Sequence, residues 1–167
     1  MTAEAVARAR ALAETVSDPE MPMVSLADLG VLRDVRVDSD DTVVVTITPT
    51  YSGCPAMAMI RADIEHTLRS HGYPSVRVDT VLAPAWSSDW ITAAGRRKLL
   101  EHGYSPPGPA PRRGPTPLSL APVPRRVTCP HCGSAATERV SEFSATACKA
   151  LYRCRECLEP FDHVKEI

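Results

Sequence analysis

The sequence predicts an α+β protein in two unequal parts: a small α-β-β-α-β-α body and a C-terminal knob held by a metal. Three observations lead there. Helical-period apolar segments alternate with short β-branched runs over the first hundred residues. Eight of the sixteen prolines then fall between Ser105 and Pro124. Finally, four cysteines close the chain as Cys129-Pro130-His131-Cys132 and Cys154-Arg155-Glu156-Cys157, with 21 residues between the pairs. The expected boundaries are 1–104 for the body, 105–126 for a linker and 127–167 for the four-cysteine domain.

Val6, Ala9, Leu12, Ala13 and Val16 recur at helical spacing, so Thr2 to Val16 reads as an amphipathic helix ending before Asp18-Pro19. A turn-rich stretch follows. Val31 to Val37 and Thr42 to Thr48 are β-branched runs joined by Asp38-Ser39-Asp40-Asp41, which is a hairpin pattern that Pro49 ends. Pro55 suits the opening of a second helix, whose Met57, Ile60, Ile64 and Leu68 share one face and which Gly72 stops. Ser75 to Leu82 reads as a third strand. Thr92 to His102 reads as a last helix with a basic Arg96-Arg97-Lys98 face, stopped by Gly103. The segment 105–126, with Gly108, Gly114, Arg112, Arg113, Arg125 and Arg126 among its prolines, lacks the apolar content for a core and reads as an extended, fairly stiff tether.

The formal net charge is −1, but residues 1–95 carry 7 basic and 13 acidic side chains and residues 96–167 carry 12 and 7. Ligated thiolates would return negative charge to the basic rear, which weakens a nucleic-acid reading based on charge. The N-terminus, with Glu4, Arg8, Arg10 and Glu14, has no uninterrupted apolar core and is not a signal peptide. No run of 18 apolar residues occurs, so no membrane span is expected. Six cysteines used as thiolates suit a reducing, cytoplasmic setting.

Two Cys-X-X-Cys knuckles brought together across a hairpin make a tetrahedral thiolate shell, a zinc-ribbon-like site of Cys129, Cys132, Cys154 and Cys157. Gly133 permits the positive φ of the first knuckle; Leu158 stands where the second would prefer glycine. Four thiolates can hold zinc or iron. His131 is read as lying outside the ligand shell. Cys148 is open to three roles, with packing ahead of a spare ligand or a reactive thiol.

Cys54 lies between the end of a strand and the start of a helix, where free N–H groups and the helix dipole favour thiolate. It reads equally as a functional thiol or as a small space-filler. Asp18, Glu20 and Asp28 could accept a proton, orient Cys54 or ligate iron; taken alone, each is an ordinary turn or cap residue. Trp86 and Trp90, the only tryptophans, suit a core lid slightly better than a protein contact. There is no Ser-His-Asp order, phosphate loop or His-Glu-X-X-His helix, so nothing points to a self-sufficient enzyme.

Asp18-Pro19-Glu20, Leu29-Gly30-Val31, Thr50-Tyr51-Ser52-Gly53-Cys54-Pro55-Ala56 and the α-β-β-α-β order together resemble the SufT-like iron–sulfur assembly family. The resemblance extends further, to the PaaD family of bacterial phenylacetyl-CoA ring-epoxidase systems. It is carried by Ala85-Trp86-Ser87-Ser88-Asp89-Trp90-Ile91-Thr92, Gly95-Arg96-Arg97-Lys98, the proline tether, Ala147-Cys148-Lys149-Ala150-Leu151-Tyr152-Arg153-Cys154 and Leu158-Glu159-Pro160-Phe161.

That resemblance implies an accessory role in aerobic phenylacetate degradation, beside a di-iron oxygenase and an iron–sulfur flavin reductase. It implies Cys54 as the functional thiol, taking iron or a cluster transiently, with Asp18 and Glu20 as nearby motif carboxylates. It implies zinc, with iron second, in the four-cysteine site, and self-association as a homodimer. The leading expectation is a maturation factor for the epoxidase or reductase. A structural or regulatory component of the assembled complex is the second, and a nucleic-acid module using the linker arginines is a distant third.

Overall fold

The computed structural model describes residues 2–111 and 127–167. It divides into two compact units, Met1–Lys98 and Leu99–Ile167. Among the described residues, no helix is long and apolar enough to cross a membrane. The linker arginines, and with them the sequence basis of the nucleic-acid reading, lie outside the described residues.

The first unit opens with α1 (Ala3–Glu14), capped by the Thr2 hydroxyl, which accepts from the Ala5 N–H. A sheet of three strands follows in the order β3-β4-β5. β3 (Leu32–Val37) pairs antiparallel with β4 (Val43–Ile47), and β4 pairs parallel with β5 (Val76–Thr80). The central position of β4 explains its unbroken run Val43-Val44-Val45-Thr46-Ile47, of which all but Thr46 is buried. α2 (Met57–Ser70) is the crossover between the two parallel strands and buries Ile60, Ile64 and Leu68. α1 packs on β3 and on α2, and Tyr73 fastens that layer by donating its hydroxyl to the Ala5 carbonyl, 2.8 Å.

Three departures from the sequence reading matter. The turn-rich stretch contains a small hairpin, the two-residue β1 (Ser17–Asp18) paired with β2 (Met21–Ser25), which the sequence reading does not assign. α2 begins at Met57, two residues after Pro55; the Cys54 carbonyl accepts from the Met57 N–H in a turn just ahead of it. The third departure concerns the body and linker boundaries. The first unit ends at Lys98 rather than 104, and Tyr104–Ser105, spanning the expected start of the linker, form a strand, β6. The Ser105 hydroxyl is buried beside His163 Nδ1 at 3.2 Å, and Pro106, with no N–H to give, ends the pairing.

Trp86 and Trp90 act as a lid on the first unit. Trp86 is buried and donates its indole N–H to the Leu29 carbonyl, 2.9 Å. Trp90 lies against Gly30, which has φ +68; a Cβ there would come within 2.6 Å of the Trp90 Cβ. The Arg33 guanidinium covers the exposed side of the Trp90 ring at 3.6 Å. Leu29-Gly30-Val31 is therefore a packing motif. A short 3-10 turn (Ser88–Trp90) leads to α3 (Ala93–Glu101).

In the second unit the sheet order is β6-β9-β8-β7. β7 (Thr137–Ser141), β8 (Lys149–Cys154) and β9 (Pro160–Val164) form an antiparallel meander, and β6 adds parallel to β9. Its core of Val127, Cys129, Ala150, Tyr152, Cys154 and Phe161 is small enough to need a further constraint.

Candidate functional site

The two knuckles supply that constraint. The ligand atoms of Cys129, Cys132, Cys154 and Cys157 all lie within 4.8 Å of one another. Cys129 and Cys157 sulfurs are 3.7 Å apart, and those of Cys132 and Cys154 are 3.5 Å apart. Four sulfurs at the zinc–thiolate distance of about 2.3 Å from one tetrahedral ion stand about 3.8 Å from each other, so the quartet fits such an ion. In the first knuckle Gly133, at φ +76, donates its N–H to the Cys129 carbonyl, 2.9 Å. The second achieves its turn with Leu158 at φ +66, and the Glu156 N–H donates to the Cys154 sulfur at 3.4 Å. The Cys157 N–H is the main force drawing the Cys154 thiol down to about 7. The Cys157 thiol receives the Glu159 N–H, yet burial and its thiol neighbours push it up to about 12. An ion replaces that competition for one charge with a shared cation.

Two neighbouring residues fall outside the quartet. The His131 ring lies by Gly103, where an added Cβ would come within 3.1 Å of its Cε1. Cys148 is half-buried, its sulfur 3.2 Å from the Thr146 hydroxyl.

In the first unit, Cys54 is half-buried in the loop between β4 and α2, and its N–H donates to the Tyr51 carbonyl, 3.2 Å. The first turn of α2 has no acidic residue, and its N-cap Ala56 makes no side-chain cap bond. The motif carboxylates are placed differently. Asp18 is buried, and its Oδ1 accepts from the N–H groups of Glu20 (2.8 Å) and Met21 (3.0 Å), closing the β1–β2 turn. Glu20 is exposed at the tip. Asp28 accepts from Lys98 Nζ (2.6 Å) and the Ser25 N–H (3.0 Å); against the opposing effect of burial, those two bonds hold its carboxyl below the usual range. Its role is to fasten α3.

Among the described residues, only the C-terminal quartet gathers three or more Cys, His, Asp or Glu ligand atoms closely enough to share an ion. Cys54, Asp18 and Glu20 do not form such a group. Asp18 instead lines a cleft of about 330 Å³ with Asp63, His66 and Thr67 of α2, and Cys54 is not part of its wall.

A family model described as an iron–sulfur cluster assembly protein matches residues 7–82, and one described as a PaaD zinc beta ribbon domain matches residues 114–165. An Escherichia coli protein, provisionally named as one of the subunits of 1,2-phenylacetyl-CoA epoxidase, is 42% identical over 155 residues, which is 93% of this chain and 89% of that protein. The chain belongs to the PaaD family. Its PaaD body is in turn similar to an Fe-S protein maturation auxiliary factor of Porphyromonas gingivalis, 36% identical over 91 residues, covering 54% of this chain and 83% of that one. A crystal structure of a domain of unknown function from Bacillus anthracis shares its fold with a TM-score of 0.52 and 31% identity, over 57% of this chain and 92% of that chain.

Proposed function

We propose that this PaaD-family protein is an accessory factor of a phenylacetyl-CoA epoxidase system that loads iron or an iron–sulfur cluster into the epoxidase components, most directly the flavin reductase. The observation that carries this is the union, in one chain, of an iron–sulfur assembly body at 7–82 with a PaaD ribbon at 114–165. Similarity across 93% of the chain to a protein named as part of that epoxidase supports the setting.

The two cysteine sites divide the work. Zinc in the Cys129, Cys132, Cys154 and Cys157 shell is structural, because four protein thiolates leave no open position. Cys54 has the opposite character. It lies in the segment matched by the iron–sulfur assembly model, and in this reading its thiolate takes an iron ion or cluster as cargo. An incomplete protein shell gives a labile hold, suited to release onto a protein that offers more ligands.

Cys54→Ser should leave the fold and the melting temperature within error and abolish support of epoxidase activity. Full activity with that variant would remove Cys54 from the mechanism. A second reading, a standing component of the complex, is favoured by the name of the Escherichia coli relative. It requires this protein to co-purify with the working epoxidase in fixed ratio, whereas a loading factor is dispensable after loading.

A further inference from the structure

The parallel pairing of β4 with β5 brings two loops to one edge of the sheet. Ile47 is the register partner of Thr80, and the Val81 N–H donates to the Ile47 carbonyl, 2.9 Å, so the segments leaving both strands start side by side. One carries Cys54 into α2; the other runs through Leu82-Ala83-Pro84-Ala85. Arg61 Nη2 donates to the Thr80 hydroxyl at 2.6 Å and fastens the beginning of α2 to the end of β5.

Two properties of this edge bear on what it can bind. Residues 49–60 and 80–88 contain no Asp, Glu, Lys or Arg, in a chain that is 23% charged. Part of their apolar surface is exposed: Met59 and Leu82 are each 57% exposed, and Pro55, Ala83, Pro84 and Ala85 are exposed too, while Ala56, Ile60 and Trp86 are buried. Charge depletion with exposed apolar side chains marks the core of a protein–protein contact.

We propose that this charge-poor edge, with Met59 and Leu82 as its anchors, is where the acceptor protein docks to receive iron or a cluster from Cys54. The inference rests on the reading of Cys54 as the transfer thiol. An acceptor ligand must come within bonding distance of the metal held on Cys54, so the acceptor covers whatever surrounds that thiol. A permanently bound second copy would shield the same thiol. The two loops carry no charge of their own, and Arg61 on the Thr80 hydroxyl is the cation placed beside them, so the fitting acceptor presents a largely apolar rim around its own vacant metal ligands.

The test measures binding and loading separately, with the apo form of the iron–sulfur flavin reductase as probe. Four proteins are compared: wild type, Leu82→Glu, Met59→Glu and Cys54→Ser, each checked for an unchanged melting temperature. The proposal expects Leu82→Glu and Met59→Glu to weaken binding roughly tenfold or more while retaining iron on Cys54 like wild type, and Cys54→Ser to bind but fail to load. Wild-type affinity in both glutamate variants would overturn the docking surface and leave the transfer reading standing. Normal loading by Cys54→Ser together with weakened glutamate variants would remove the thiol's role and support the surface. No binding by wild type, or a homodimer that the glutamate variants dissociate, would overturn the acceptor as occupant.

Discussion

Leu158 takes φ +66 in the second knuckle, while its side chain is 59% exposed. Neither packing nor backbone preference accounts for a leucine there. The left-handed conformation costs a non-glycine residue about 1 kcal/mol or more, so Leu158→Gly should stabilise the metal-bound ribbon by about 0.5–1 kcal/mol after the extra chain entropy of glycine is counted. Competition with a chelator reads this as tighter metal retention; weaker retention would contradict it. Sequence shows the same asymmetry, since Gly133 follows one knuckle and Leu158 the other. The positions of Cys54 and Asp18 were half legible. The strand-proline-helix punctuation fixes Cys54 in its loop, but the carboxyl of Asp18 is turned inward by two backbone N–H groups, and pairing of that kind leaves no trace in residue spacing.

At the scale of elements, β6 joins the ribbon through a small polar cluster. Glu166 Oε1 accepts from the Gly108 N–H (3.0 Å) and lies 3.2 Å from His163 Nε2. Burial opposes ionisation of Glu166, but the bonds from His163 and Gly108 outweigh it and hold its carboxyl at about 2, below its ordinary 4.5. A depressed carboxyl stabilises the fold fully above the unfolded value and loses that contribution as pH falls toward the folded one. The gap in urea midpoint between wild type and Glu166→Gln should therefore be constant above pH 5 and shrink to near zero by pH 2; a gap that persists at pH 2 would contradict the assignment. The metal is the larger constraint. Cys132→Ser should abolish hydrogen-exchange protection across β7, β8 and β9, because the apolar cluster around the sulfurs is too small to hold these strands alone. Retained protection would make the quartet dispensable. The β-branched runs and helical periods made β3, β4, β5, α1 and α2 legible. β1 and β6 were hidden, because two-residue strands carry no periodicity, and β6 also takes its partner β9 from far along the chain.

The whole molecule joins two kinds of thiolate site in one chain, a four-ligand site in the second unit and the Cys54 thiol in a charge-free loop of the first. Family membership was legible from motifs spread along the sequence, and the same motifs turn out to serve several ends. Leu29-Gly30-Val31 and the two tryptophans build a lid, and Asp18-Pro19-Glu20 closes a hairpin; the chemical role is the one we propose for the Cys54 loop. That distribution makes loading of another protein the central claim. The measurement that tests it most directly is the iron and acid-labile sulfide content of the oxygenase and the reductase, each purified from cells with and without this protein. The account predicts that at least one component, foremost the reductase, lacks iron or sulfide when this protein is absent. Components that are fully loaded without it, yet inactive until it is added back, would contradict that claim and make the protein a working part of the epoxidase.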